Sequence, residues 1–180
     1  TLTGELGLLL PVWWFGLRRH RLGWSSVGLR PFQVLRGLGL GCAAWALAMA
    51  GTVIWSLVLG LFNMRVQPNM LPIFGGGVSG LVAALITGGL IGPFAEEAFF
   101  RGYLFVGMRQ HLGTKRALLL NGLIFALIHV LPTSYPPIFL LGVLFAGLLL
   151  LTGSLWPAIF VHSFINSLSF LLLFASERLP

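Results

Sequence analysis

Apolar residues fill long unbroken stretches of the chain, and polar residues are bunched between them. The first apolar run covers about residues 2–17. It is short beside the roughly 20 residues that a membrane-spanning helix takes. A basic segment follows over residues 18–36, with Trp24 and Phe32 suited to a membrane interface. The second run, residues 38–62, is long and exits into a loop over 63–75 that holds Arg65, Pro68 and Pro72. The third begins near Gly76 and runs past Glu96 towards Arg109. Within it Gly76, Gly80, Ala84, Gly88 and Gly92 recur every fourth residue, a small-residue ridge that lets another helix approach closely. Pro93 comes next and predicts a kink or short break just ahead of an acidic pair. A basic turn at 109–116, a fourth run at 117–130 and an outer loop at 131–137 follow. A fifth run at 138–152 and a turn holding Trp156 and Pro157 lead to a sixth run that ends near Ala175. The pattern predicts an all-α polytopic membrane protein of about six transmembrane helices, in one membrane domain over residues 1–180.

Composition sharpens this picture. Of the 180 residues, 57% are hydrophobic and only 8% charged, and the mean hydropathy is +0.96. A soluble domain carries about a quarter charged residues, so this chain has too few to cover a water-facing surface. The net charge of +7 points to the membrane rather than to nucleic acid. Arg18, Arg19, Arg21, Arg30 and Arg36 form one cluster, and Arg109, Lys115 and Arg116 another, both flanking apolar runs. Cations so placed mark the cytoplasmic side, which puts Arg65 outside. No basic motif interleaved with base-stacking aromatics accompanies them, so no nucleic-acid partner is expected. Cys42 is the only cysteine, which excludes an internal disulfide and a cysteine-based metal site. The chain opens on Thr1 rather than Met, which leaves room for one more span lost ahead of it. The first run lacks a small-residue cleavage site, so no cleaved signal peptide is expected. No repeat appears, and loops this short leave no space for a second domain.

Against that background a few polar residues stand out. Two of the four acidic residues, Glu96 and Glu97, lie side by side in an apolar stretch. An ionisable group inside a membrane costs about 2.5–3.5 kcal/mol even on a lenient scale, so its presence calls for a reason. Glu97 and Arg101 are four apart and stack on one helical face, where an ion pair forms. Glu96 points about 100° away from Glu97 and is left available. His129 lies near the end of the fourth run, and His162 in the sixth shares a face with Asn166 one turn on. Counted at 1.5 Å per residue from the cytoplasmic ends, Glu96 and His129 lie roughly 18 Å deep, Asn166 about 15 Å and His162 about 9 Å. Four polar side chains from three helices can therefore meet in one intramembrane cavity.

A glutamate beside a histidine suits activation of water, the carboxylate taking a proton while the imidazole orients the water. A second histidine with an asparagine amide offers donors for the oxyanion of a tetrahedral intermediate. Glu96, His129 and His162 are also a ligand set that zinc accepts, and zinc would then activate the water. The His-Glu-x-x-His pattern of many zinc proteases is absent. Each residue also has a purely structural role open to it. His162 and Asn166 can join helices, and the Glu97–Arg101 pair can brace them.

The segment Gly92-Pro93-Phe94-Ala95-Glu96-Glu97-Ala98-Phe99-Phe100-Arg101 resembles the Glu-Glu-x-x-x-Arg motif of the CPBP intramembrane proteases. These are the CAAX prenyl endopeptidases and bacteriocin-processing enzymes, also called the Abi family. Phe125 to His129 resembles the family's Phe-x-x-x-His motif, and Trp156-Pro157 with His162 and Asn166 its last motif. Three motifs in order make the resemblance specific, over about residues 76–175. It implies a multi-helix intramembrane endopeptidase in a bacterial cytoplasmic membrane, with its active site open to the cytoplasmic side. Glu96 would activate water with help from His129, while His162 and Asn166 stabilise the oxyanion. Glu97 and Arg101 would hold the site together. The implied partners are the lipid bilayer and a peptide or membrane-protein substrate. The rival reading is a non-catalytic CPBP-like subunit whose helices scaffold other membrane subunits. A transporter or channel fits less well, since the polar groups line no continuous path.

Overall fold

The computed structural model describes residues 2–64, 71–129 and 131–176; Thr1, Arg65, Pro68 and Val130 of the sequence reading lie outside the described residues. Among the described residues seven helices make up the fold and no strand occurs. Helix α1 covers residues 2–18 and is followed by a single tight turn, Trp24–Val27. Helix α2 is Val34–Gly60, α3 the short Leu71–Phe74, and α4 the long Gly77–Leu112. Helices α5, α6 and α7 are Thr114–Leu127, Tyr135–Thr152 and Trp156–Ser176.

Among the described residues four stretches are long and apolar enough to cross a membrane: Val34–Gly60, Gly77–Leu112, Pro132–Thr152 and Trp156–Ser176. The other two apolar runs form α1 and α5, which are shorter. At 14 residues α5 reaches about 21 Å, less than a hydrocarbon core of about 30 Å. Helix α6 begins at Tyr135, three residues before the expected start, because Pro136 and Pro137 fall in its first turn. There their missing N–H groups cost nothing.

The break expected at Pro93 does not occur. Helix α4 is continuous, but its hydrogen bonding widens to the π pattern at Leu85–Ile91 and again at Ala98–Phe105. A proline inside a helix lacks a donor and crowds the carbonyl four residues back. For Pro93 that carbonyl belongs to Gly89, which lies within the first wide stretch. Opening the turn there removes the clash without breaking the helix. A third π stretch, Val12–Arg18, lies in α1.

Small residues set how closely the helices approach. The edge of Phe170 on α7 lies against Gly88 of α4, and the Ser167 hydroxyl against Gly89. Helices α5 and α6 meet glycine on glycine, so that a Cβ at Gly142 would lie 2.7 Å from the Cα of Gly122. That neighbour is backbone and cannot turn aside. We expect Gly142→Ala to force the helices apart and to cost about 1–3 kcal/mol. Thermal melting in detergent measures this, and an unchanged midpoint would contradict the packing. Around these contacts Ala44 and Ala48 of α2, Phe145 and Leu148 of α6, and Ala158 and Ile165 of α7 form one apolar core. Leu35 and Leu57 of α2, with Leu171 and Leu172 of α7, face outward, as lipid-facing side chains do.

Helices α1 and α4 run in the same direction, the head of α1 against residues 85–97 and its foot against 98–105. Both basic clusters therefore reach one end of the bundle. A clasp closes this end. The Leu155 N–H donates to the Gly28 carbonyl at 2.8 Å, and the Ser154 hydroxyl donates to the Arg30 carbonyl at 2.7 Å. The Arg30 guanidinium donates to the Gly153 carbonyl. Gly153, at φ +70°, ends α6 in the left-handed conformation that glycine adopts without penalty. At the opposite end the Trp55 indole N–H donates to the Thr133 carbonyl at 2.6 Å.

Candidate functional site

Glu97 is fully buried on α4, and one of its oxygens takes two hydrogen bonds. Arg101 Nη1 donates to Oε1 at 2.9 Å, as the spacing of four residues predicted. His162 Nδ1 lies 2.9 Å from the same oxygen, which the spacing alone did not show. With Glu97 ionised, that bond puts a proton on Nδ1 and fixes the tautomer of the neutral ring. The other ring nitrogen, Nε2, then faces Glu96, 3.8 Å from its Oε2. The Glu96 side chain is 15% exposed, and Oε2 is itself buried without a hydrogen-bond partner. Each carboxylate keeps a buried Oε2 without a partner, but only Glu97 is tied to its neighbours, through Oε1, while the Glu96 carboxylate makes no hydrogen bond among the described residues.

Arg101 completes the support. It is fully buried, with its guanidinium 4.1 Å from the centre of the Phe125 ring, 5.3 Å from Phe145 and 5.8 Å from Phe100. Aromatic faces attract a cation, and the attraction grows when water is excluded. Nη2 also reaches the Gly142 carbonyl at 3.4 Å. Phe145 then stacks on the His162 ring at 5.0 Å and 28°, locking its plane.

His129 sits just past the end of α5, with Nδ1 bonded to the Phe125 carbonyl at 2.8 Å. The carbonyl can only accept, so Nδ1 is the donor and Nε2 keeps its lone pair in the neutral ring. Phe125 links the two histidines, its ring edge 5.1 Å from His129 and 6.0 Å from His162 between centroids. Asn166 lies one turn beyond His162, but its amide nitrogen donates to the Gly88 carbonyl at 2.9 Å. One of its two amide hydrogens is therefore committed to the wide turn of α4, and one is left. Glu96, Glu97, Arg101 and His162 are brought together directly, and His129 and Asn166 border them.

The depth of 9 Å expected for His162 is too shallow, since the ring touches Glu97. The count took all helix feet to lie in one plane. In fact the turn before α7 abuts the middle of α4: a Cβ at Gly102 would lie 3.1 Å from the Leu155 side chain. Helix α4 then continues past that level to Leu112.

Three contributors were not singled out from the sequence. Asn121 is fully buried and donates to the Phe100 carbonyl at 2.8 Å, tying α5 to the π stretch that carries Arg101. Phe145 has no signal that separates it from other aromatic residues. Glu5 does: it is a carboxylate in an apolar run, and α1 brings it against Gly92, one turn before Glu96. Among the described residues no three His, Cys, Asp or Glu side chains are grouped so as to hold a metal ion. Glu96 and His162 supply two facing donors, while His129 lies across the Phe125 ring.

The profile of a family described as type II CAAX prenyl endopeptidase, Rce1-like, matches residues 78–168, a span containing all the residues above except Glu5. No curated protein and no solved structure matches the chain.

Proposed function

The chain belongs to the Rce1-like family of type II CAAX prenyl endopeptidases, matched over just over half its length, and from that premise we propose that it cuts a peptide bond of a membrane-associated protein or peptide with water activated by Glu96. The substrate class is a CAAX-type or bacteriocin-like chain. The observation that carries this reading is the unequal pair of carboxylates around His162, one hydrogen-bonded to Arg101 and His162, the other with no hydrogen bond among the described residues.

In the proposed reaction Glu96 takes a proton from water as the water oxygen attacks the scissile carbonyl. His129, through Nε2, orients that water. His162 in its cationic form offers an Nε2 proton, and Asn166 its second amide hydrogen, to the oxygen that becomes negative. Glu97 and Arg101 act through His162, holding its ring in place. The clustering of cations at one end of the bundle supports a site reached from the cytoplasm.

The test uses the purified chain in nanodiscs with a farnesylated peptide ending in a CAAX sequence. Mass spectrometry should detect a product shortened by the terminal tripeptide, with none from Glu96→Gln. Intact peptide in both would overturn the reading. Zinc bound by Glu96, His129 and His162 is the competing account of the same chemistry. We expect a strong chelator to leave the rate unchanged. A rate lost to the chelator and restored by zinc would assign those three residues to the metal.

A further inference from the structure

All the carboxylates among the described residues lie together, although they come from two helices. Glu96 and Glu97 are neighbours on α4, and Glu5 arrives from α1. The position of Glu5 is fixed by a glycine. A Cβ built on Gly92 would meet its Cδ at 3.4 Å and Oε2 at 3.5 Å, so the carboxyl group rests on the bare backbone of Gly92. Gly92 precedes Glu96 by four residues, one turn on the same face. Side chains on a helix lean towards its N-terminus, so that of Glu96 leans towards the carboxyl group of Glu5. The Glu5 side chain forms no ion pair among the described residues, although it is half-buried in an apolar bundle. A carboxyl group at membrane depth is costly and marks function by default.

We propose that Glu5 is the acid that protonates the leaving amine in the hydrolysis assigned to Glu96. The assignment rests on the proteolytic reading above. A second carboxyl group one turn from the base is placed to give the departing nitrogen a proton while the base holds the one it took from water. In the first step the water oxygen bonds to the carbonyl carbon, Glu96 takes the water proton, and the carbonyl π pair moves to oxygen. In the second the C=O bond reforms and the C–N bond breaks. Its electron pair stays on nitrogen, which takes the proton of Glu5. The proton on Glu96 then passes to Glu5, restoring both groups, and one water has been consumed. His162 is less suited to this step, since it faces the other oxygen-binding task and its Nδ1 proton is held by Glu97.

The role separates from a structural one by the nature of the leaving group. An alkyl amine must be protonated to leave, whereas 4-nitrophenolate leaves without a proton. The probes are the farnesylated CAAX peptide and the 4-nitrophenyl ester of its acyl half, given to the whole chain in nanodiscs. Glu5→Gln should lower kcat for the peptide by about 100-fold or more, with KM little changed, and leave the ester rate within about threefold of wild type. Glu5→Asp, which keeps the acid, should recover part of the peptide rate. If Glu5→Gln cleaves the peptide as well as wild type, or loses both substrates equally, Glu5 is not the acid. A wild-type chain inactive on both would instead overturn the proteolytic reading, and this assignment with it.

Discussion

Replacing Glu96 with glutamine should lower peptide cleavage by about 10²–10⁴-fold while leaving the folded protein intact. The change is nearly isosteric, and the Glu96 Oε2 makes no hydrogen bond that an amide would lose. What disappears is the ability to take a proton from water. The melting temperature in detergent and the single-turnover cleavage rate together decide the matter. A variant that melts like wild type and cleaves like wild type would place the base elsewhere. The scaffold reading, in which no residue of the cluster needs to titrate or react, returns only if wild type itself cleaves nothing. A variant that fails to fold would show that Glu96 is structural, against its unspent oxygen.

Replacing Arg101 with methionine should have the largest effect on stability. Arg101 and Glu97 are both fully buried, and removing one leaves the other charge in an apolar interior. Breaking such a pair costs about 3–5 kcal/mol, whereas removing both partners costs much less. The double variant Glu97→Leu with Arg101→Met should therefore melt above the Arg101→Met single variant. It should still cleave poorly, because His162 loses the carboxylate that holds its Nδ1 proton. If the single variant melts like wild type, the pair contributes nothing to the fold. If the double variant retains full cleavage, His162 needs no anchor.

Most of this arrangement was legible in the sequence because charge is so scarce in it. Glu96, Glu97, Arg101, His129, His162 and Asn166 each interrupt an apolar run, and a polar residue in such a setting carries a high cost. The i, i+4 rule then gave the Glu97–Arg101 pair. It could not give the bond from His162 to Glu97, because helix periodicity says nothing about which face of α7 meets which face of α4. The supporting aromatic residues were not legible either. Phe125 and Phe145 look like any lipid-facing phenylalanine until the guanidinium between them is seen. Glu5 was readable by the same scarcity argument but was passed over, since it lies far from the motifs in sequence. Pro93 was read correctly as a disturbance, yet the widened turn that absorbs it depends on the glycine-rich stretch before it.

The wide turns of α4 have a consequence for how this sequence can vary. A π turn holds one residue more than the α turn it replaces. Deleting one residue between Leu85 and Ile91 would give back an ordinary helix, still apolar and still long enough to span. Because the wide turn already absorbs one extra residue, that deletion would leave the residues downstream near their present phase, and Glu96 and Glu97 would still face His162. The same deletion in an ordinary stretch ahead of Glu96 would rotate the acidic pair by about 100°, since each residue advances the helix by that angle. The helix can thus give up a residue at its wide turn, whereas elsewhere its length in residues keeps the acidic pair in register with the rest of the bundle.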